Sequence, residues 1–311
     1  MTRGKLSTQS VLWRVAPLFF HDVGNVDQVD AVTRVDFLGW DLVSTNPELA
    51  LEKDMPAWVY WDVTKYLRYW VFLFTLYHPI DRKFLGIGSH PQDLEWSMFL
   101  WDTESEEVVA GMTLFHHLWY WSSEPKSGIK PRGIFYDYMP LMLDPNSKRP
   151  RVHVQSGGHG QRPFNPNRGW DQRMVLIPSR VYADVPWEVP WEEVGDHAQR
   201  TVHYRLDRIT RRGGLWSHRH DPNVIVRKDE RQDRLAVKKG GRIVPSAATP
   251  PWATGSVEGL SRVIVGGRVD WLSPVVIDPR EVFLKGLKGF KGRLHKDCTF
   301  SNPFTGYRRI V

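Results

Sequence analysis

Three residues with metal-ligand chemistry lie close together in Gly88-Ser89-His90-Pro91-Gln92-Asp93-Leu94-Glu95-Trp96. Residues two apart on a strand project from one face, so Asp93 and Glu95 present their carboxylates on the same side. Leu94 and Trp96 then anchor the opposite face in a core. His90 stands just upstream, in the turn feeding that strand, and adds a nitrogen donor. Oxygen-rich sets of this kind suit Mg²⁺ or Ca²⁺ first, and the imidazole also admits Mn²⁺ or Zn²⁺. Asp81, in the preceding loop, offers a further oxygen. The expectation is one divalent cation held by His90, Asp93, Glu95 and Asp81.

A second signal lies in Arg151-Val152-His153-Val154-Gln155-Ser156-Gly157-Gly158-His159-Gly160. It reads as a strand ending in a glycine turn that presents His159. Glycine lets the backbone take positive φ and approach another group closely. His159 is therefore a site candidate, and the general base if the site is catalytic, because an imidazole titrates near neutral pH. His153 reads as structural.

Other histidines are weaker candidates. Ser217-His218-Arg219-His220-Asp221 places two imidazoles beside a carboxylate, but within a charged segment that reads as a surface loop. His116 and His117 alternate faces in an aromatic stretch and read as packing. No G-x-S-x-G elbow is present, and Cys298 has no cysteine-protease signature around it. As the one cysteine, it excludes an internal disulfide framework and a Cys-rich zinc module. The Gly-Gly pairs at 213–214, 240–241 and 266–267 lack the strand–helix context of a phosphate loop and read as turns.

The elements that must position these residues are strands. Residues 66–77, YLRYWVFLFTLY, are crowded with aromatic and β-branched side chains, apolar on both faces, and end at His78-Pro79. Residues 93–101 alternate: Asp93, Glu95, Ser97, Phe99 and Trp101 on one face, Leu94, Trp96, Met98 and Leu100 on the other. Alternation also marks 26–42, and 108–121 reads as one further strand. The run 11–20, with Pro17, reads as extended, and 187–193 as a short helix. The expected architecture is an all-β fold, a β-sandwich with long loops and few short helices. It spans 11–311 as a single domain after a disordered tail over 1–10. A charged insertion near 205–245 is read as an inserted excursion or mobile arm.

The order of aromatic strand, His90-x-x-Asp93-x-Glu95, and a later strand running into Gly157-Gly158-His159-Gly160 resembles a known group. It is similar to the vacuolar-protein-sorting-associated family numbered sixty-two in yeast. More distantly it resembles the necrosis- and ethylene-inducing peptide-like proteins. Those relatives carry a heptapeptide of Gly-His-Arg-His-Asp-Trp-Glu type, whose first histidine, aspartate and glutamate match His90, Asp93 and Glu95 in spacing. The resemblance implies a β-sandwich and, in the cytolysin branch, a divalent cation at those positions with an upstream aspartate, for which Asp81 is the nearest candidate. Thr249-Pro250-Pro251-Trp252 and Ile277-Asp278-Pro279 also resemble late segments of these families. This chain lacks the second histidine, the tryptophan between the acids and the paired cysteines of many secreted cytolysins, which argues against toxin activity.

Composition bounds the rest. The 311 residues include 15 Trp, 14 Phe and 10 Tyr, enough apolar surface to exclude a disordered chain. The net charge is +7, and from Arg205 to Arg242 basic residues outnumber acidic ones about twofold. Such a basic arm can attract an anionic partner. No apolar run reaches the ~18 residues of a membrane span, and the start lacks a signal-peptide core. The chain fits either the cytoplasm or secretion with a leader removed.

Three functions compete. In the first, a cation-dependent module binds a polar ligand such as a glycan or lipid headgroup, with tryptophan faces stacking on sugar rings. In the second, the cation serves a hydrolase of esters, phosphoesters or glycosides, with His159 as base. In the third, the basic arm binds nucleic acid. The first is preferred, because the ligand set is compact and acidic and no second catalytic pair stands nearby.

Overall fold

The computed structural model describes residues 6–22, 32, 34–35, 57–66, 68–81, 90–115, 118–131, 138–167, 172–179, 200–228, 232–256, 283, 287–288, 299–301 and 308–310. Helix α1 (Thr8–Val15) leads into strand β1 (Leu18–Asp22). The strands β2 (Trp58–Tyr66), β3 (Tyr69–Asp81), β4 (His90–Asp102), β5 (Glu107–Phe115) and β6 (Leu118–Ser123) follow as an antiparallel meander. Next come β7 (Lys130–Pro131), β8 (Tyr138–Pro140), β9 (Arg151–Val154), β10 (Gln161–Pro163), β11 (Gln172–Pro178) and β12 (Arg200–Arg208). A smaller sheet is built from β13 (Ile225–Lys228), β14 (Gln232–Lys239) and β15 (Arg242–Pro245).

Eleven strands make one mixed sheet in the order β10-β9-β1-β11-β12-β2-β3-β4-β5-β6-β8. The edge strand β10 packs back on β4, β5 and β6, so the sheet is rolled nearly into a barrel and its two wings face each other. The fold is all-β, as expected. The closure is tight at Gly160: a Cβ there would lie 2.7 Å from the Phe115 ring. Arg162 covers the same ring from 3.4 Å.

Period-two patterning explains why the meander sits centrally. Phe72, Phe74, Leu76, Phe99 and Trp101 face inward, against α1, Val152, Val154, Leu176 and Tyr204. Val71, Leu73, Trp96, Met98 and Leu100 face outward, against Ile209, Leu215, Val224, Ile225, Leu235 and Trp252. Each such side chain contributes roughly 1.5–3 kcal/mol on burial, which fixes the register, since a one-residue slip would swap the faces.

Several expectations change. Residues 11–15 are helical rather than extended: Ser7 caps the Ser10 N–H at 3.0 Å, and Val11, Leu12 and Val15 form a helical stripe ended before Pro17. Ser7 to Ser10 are thus the cap and first turn, while the rest of the tail lies largely outside the described residues. The strand read over 66–77 begins at Tyr69 and runs through Pro79 to Asp81, so Asp81 is a strand residue and not a loop residue. The single strand read over 108–121 is a hairpin, with Phe115 paired to Leu118. The charged segment is folded rather than a mobile arm: Arg205–Arg208 belong to β12, and the small sheet covers the outer face of the meander. The alternation over 26–42 and the helix read over 187–193 lie essentially outside the described residues, as do Gly266-Gly267, Cys298 and Ile277-Asp278-Pro279. No helix among the described residues is long and apolar enough to cross a membrane.

One acidic residue far from the motif is fully satisfied. Asp144, between β8 and β9, accepts from the Ser147 N–H at 2.7 Å and Oγ at 2.8 Å, from the Asn146 N–H at 3.2 Å, and from Arg151 at 2.9 Å. Slight burial opposes ionisation, but these donors outweigh it and hold the carboxyl at about 2.

Candidate functional site

The β3–β4 ladder places His78 opposite Asp93, Leu76 opposite Glu95 and Asp81 opposite His90. Asp93 and Glu95 lie on the inward face with Phe99, as their alternation requires. At the strand ends, His90 Nε2 lies 3.1 Å from Asp81 Oδ2, and its Nδ1–H donates to the Gln92 carbonyl at 3.2 Å.

The glycine turn after β9 does what its composition suggests. Gly157 has φ +74°, and His159 itself takes φ +49°, folding the imidazole back over the sheet. His159 Nδ1 lies 3.3 Å from Asp93 Oδ2. Its ring stacks on His78 with centroids 3.7 Å apart and planes within 2° of parallel. His21 of β1 meets the His78 ring edge-on at 5.3 Å. All three imidazoles are fully buried. Behind them, His153 Nε2 contacts Asp22 Oδ2 at 2.7 Å, consistent with a structural His153.

The electrostatics are those of crowded negative charge. Burial, then the charges of Asp93 and Asp81, push the Glu95 carboxyl well above its ordinary range. Glu95 is 7% exposed, and its Oε2 has no hydrogen-bond partner; neither does the buried Asp81 Oδ1. For His90, burial favours the neutral ring, but the hydrogen bond and charge of Asp81, then the charge of Asp93, outweigh it and raise the pKa. Asp81 thus acts on both His90 and Glu95.

A hard divalent cation suits these donors: buried carboxylate oxygens without partners, mutually repelling, beside one imidazole. Among the described residues, no set of three or more His, Cys, Asp or Glu side chains is already arranged around an ion position.

The structure joins Asp81 to His90 and Asp93 to His159, with Glu95 in the field of both acids. Sequence reasoning missed His78 and His21. His78 was detectable: it follows Phe74 and Leu76 at period two, and only the hairpin register was needed to set it against Asp93. His21 reaches the cluster through long-range pairing with no local signal. Ser217 and His218 end a short 3-10 helix (Leu215–His218) that runs into a turn at Arg219 and His220, with Ser217 Oγ accepting from Gly213 N–H at 3.0 Å. His116 and His117 lie outside the described residues. Gly240 and Gly241, at φ +57° and +78°, form the β14–β15 turn.

No family model matches the chain, and no curated protein matches it. The vacuolar-protein-sorting part of the resemblance therefore rests on the motif residues alone. Solved structures similar to it include NLPPya in complex with glucosamine, 22% identical with a TM-score of 0.33, covering 50% of this chain and 66% of that one. Another is Necrosis and Ethylene inducing Protein 2 from the causal agent of cocoa's Witches Broom disease, 15% identical with a TM-score of 0.29, covering 49% and 65%. A third, described as a toxin fold for microbial attack and plant defense, is 20% identical with a TM-score of 0.25 and covers 34% and 44%. The structural neighbours thus include necrosis- and ethylene-inducing proteins, and this chain spans less than two thirds of the length of each of these three.

Proposed function

We propose that this protein is a divalent-cation-dependent module that binds a polar ligand, a glycan or lipid headgroup, at Asp81, His90, Asp93 and Glu95. The observation that carries this reading is Glu95: a buried carboxyl, one oxygen unpartnered, in the fields of two further acids. A bound cation would supply a Lewis acid for ligand hydroxyl or phosphoryl oxygens. The chain's own residues prepare that position. His159, held by its stack on His78, orients Asp93; Asp81 orients His90; Leu94 and Trp96 fix the strand from behind. His159 has no exposed surface, which weighs against its acting as a base on an incoming substrate and so against the hydrolase alternative.

The test is calorimetric titration of chelator-treated protein with Mg²⁺, Ca²⁺, Mn²⁺ and Zn²⁺. The loaded protein is then screened against free sugars including glucosamine, glycan arrays, and phospholipid or glycolipid vesicles. Stoichiometric cation binding with cation-dependent retention of one ligand class is expected. Absence of cation binding, or ligand binding unaffected by chelator, overturns the reading. Binding to nucleic acid that falls steeply with salt would favour the basic segment instead.

A further inference from the structure

The motif contains a geometric difficulty. On a regular strand His90 and Asp93, three apart, point to opposite faces. His90 is nevertheless tied back across that interval, its Nδ1–H donating to the Gln92 carbonyl at 3.2 Å. The residue between them is where the strand departs from regular geometry. Gln92 has φ +61°, a left-handed conformation uncommon outside glycine, within a β3–β4 register that runs unbroken from His78↔Asp93 to Ile80↔Pro91 and Asp81↔His90.

A strained backbone persists only where its surroundings hold it. Gln92 is 3% exposed, and its side-chain Nε2–H donates to the Ala236 carbonyl of β14 at 3.0 Å, the two residues lying 144 positions apart. Ala236 is itself fixed, its N–H donating to Val224 O at 2.8 Å, in a small sheet anchored on the meander through Val224, Ile225 and Leu235. The Gln92 carbonyl then accepts from His90, which meets Asp81. A continuous chain of contacts runs from the small sheet to the acidic cluster.

We infer that Gln92 is a positioning residue through which strand β14 fixes the end of β4 that carries His90 and Asp93. The charged segment 205–245 thereby acquires a role as the buttress of the site. The inference rests on the cation reading for its consequence, but not for its geometry.

The test compares wild type with Gln92→Gly and Gln92→Asn. Both substitutes tolerate a left-handed backbone, and neither reaches Ala236, so the clamp is removed without a new conformational penalty. Hydrogen exchange and Mn²⁺ titration are measured on each full-length protein. The expected result is exchange at Gln92, Asp93 and Leu94 at least about tenfold faster, wild-type rates over Ser97–Leu100, and Mn²⁺ affinity of the folded protein at least about tenfold weaker, as a loosened ligand set requires. Unchanged exchange in both variants overturns the inference. Faster exchange with unchanged Mn²⁺ affinity also overturns it, because a merely structural clamp behaves that way. If wild type binds no Mn²⁺, the cation reading falls, and exchange alone decides whether the clamp exists.

Discussion

Asp144 and Glu95 are both carboxyls in folded parts of one chain, and their surroundings pull them in opposite directions. Asp144 collects backbone and hydroxyl donors and an arginine, and its acidity is strengthened to about 2. Glu95 is enclosed with Asp93 and Asp81, and its acidity is suppressed. The first charge is already answered by its neighbours. The second belongs to a set in which Asp81 and Asp93 each meet an imidazole, while Glu95 Oε2 and Asp81 Oδ1 have no hydrogen-bond partner, a condition under which an added cation gains most. Two acids of similar chemistry are thus separated into a structural role and a proposed binding role by their donors alone.

The largest expected effect comes from Glu95→Gln. Cation affinity should fall about 100-fold or more, roughly 2.7 kcal/mol, while chelator-treated protein keeps or gains thermal stability, because a buried like-charge contact is gone. Titration calorimetry and thermal denaturation check this; a stability loss would erase the contrast with Asp144. Next is Asp144→Ala, which should cost about 2 kcal/mol in urea unfolding and leave cation affinity unchanged. That magnitude follows from the drop in pKa from 3.8 to about 2. Gly160→Ala should cost about 1–2 kcal/mol, since its methyl would overlap the Phe115 ring at 2.7 Å. Because His159 is the adjacent residue, that variant should also weaken cation binding, whereas the Asp144 loop should keep its exchange protection.

The smallest effect, on the order of 1 kcal/mol, is a pH dependence with opposite signs in the two regions. The depressed Asp144 pKa contributes stability that is present above 3.8 and lost as pH falls toward about 2. Glu95 and His90 have raised pKa values, so their contributions are full below 4.5 and 6.5 and are lost as pH rises through the raised values. Denaturation midpoints of chelator-treated protein should therefore decline above pH 4.5 through Glu95 and further above 6.5 through His90, and added Ca²⁺ or Mg²⁺ should remove that decline. Glu95→Gln should flatten the upper limb and Asp144→Ala the lower.

Much of the hairpin that carries the site was legible because it rests on local alternation. The inward set from Asp93 to Trp101 and the outward set from Leu94 to Leu100 fall where period two puts them. Proline misled at position 79. Among the described residues, pairing between β2 and β3 ends at Leu76, and at Pro79, past that point, a missing N–H costs little. The two histidines at 116 and 117 hid a hairpin inside a continuous aromatic run. Valine and Pro17 disguised α1, whose cap at Ser7 was the available signal. The insertion of β11 and β12 between β1 and β2, with β9 on the far side of β1, was illegible for a different reason: parallel neighbours joined through distant segments leave no periodic trace. Gln92 was invisible for the same reason, since its meaning depends on Ala236.

The rolled sheet also sets an order of events. Hairpin β3–β4 closes over a few residues, but Leu18 of β1 pairs with Arg151, 133 positions downstream. Contacts so distant in sequence form slowly, because loop-closure entropy is spent before any pairing compensates it. The acidic strand ends should therefore exist early in folding as an open hairpin, and meet His159 and His21 only when the sheet closes. In a growing chain the acids are synthesised long before His159, the imidazole that will cover Asp93, and the finished site becomes a late reporter of closure.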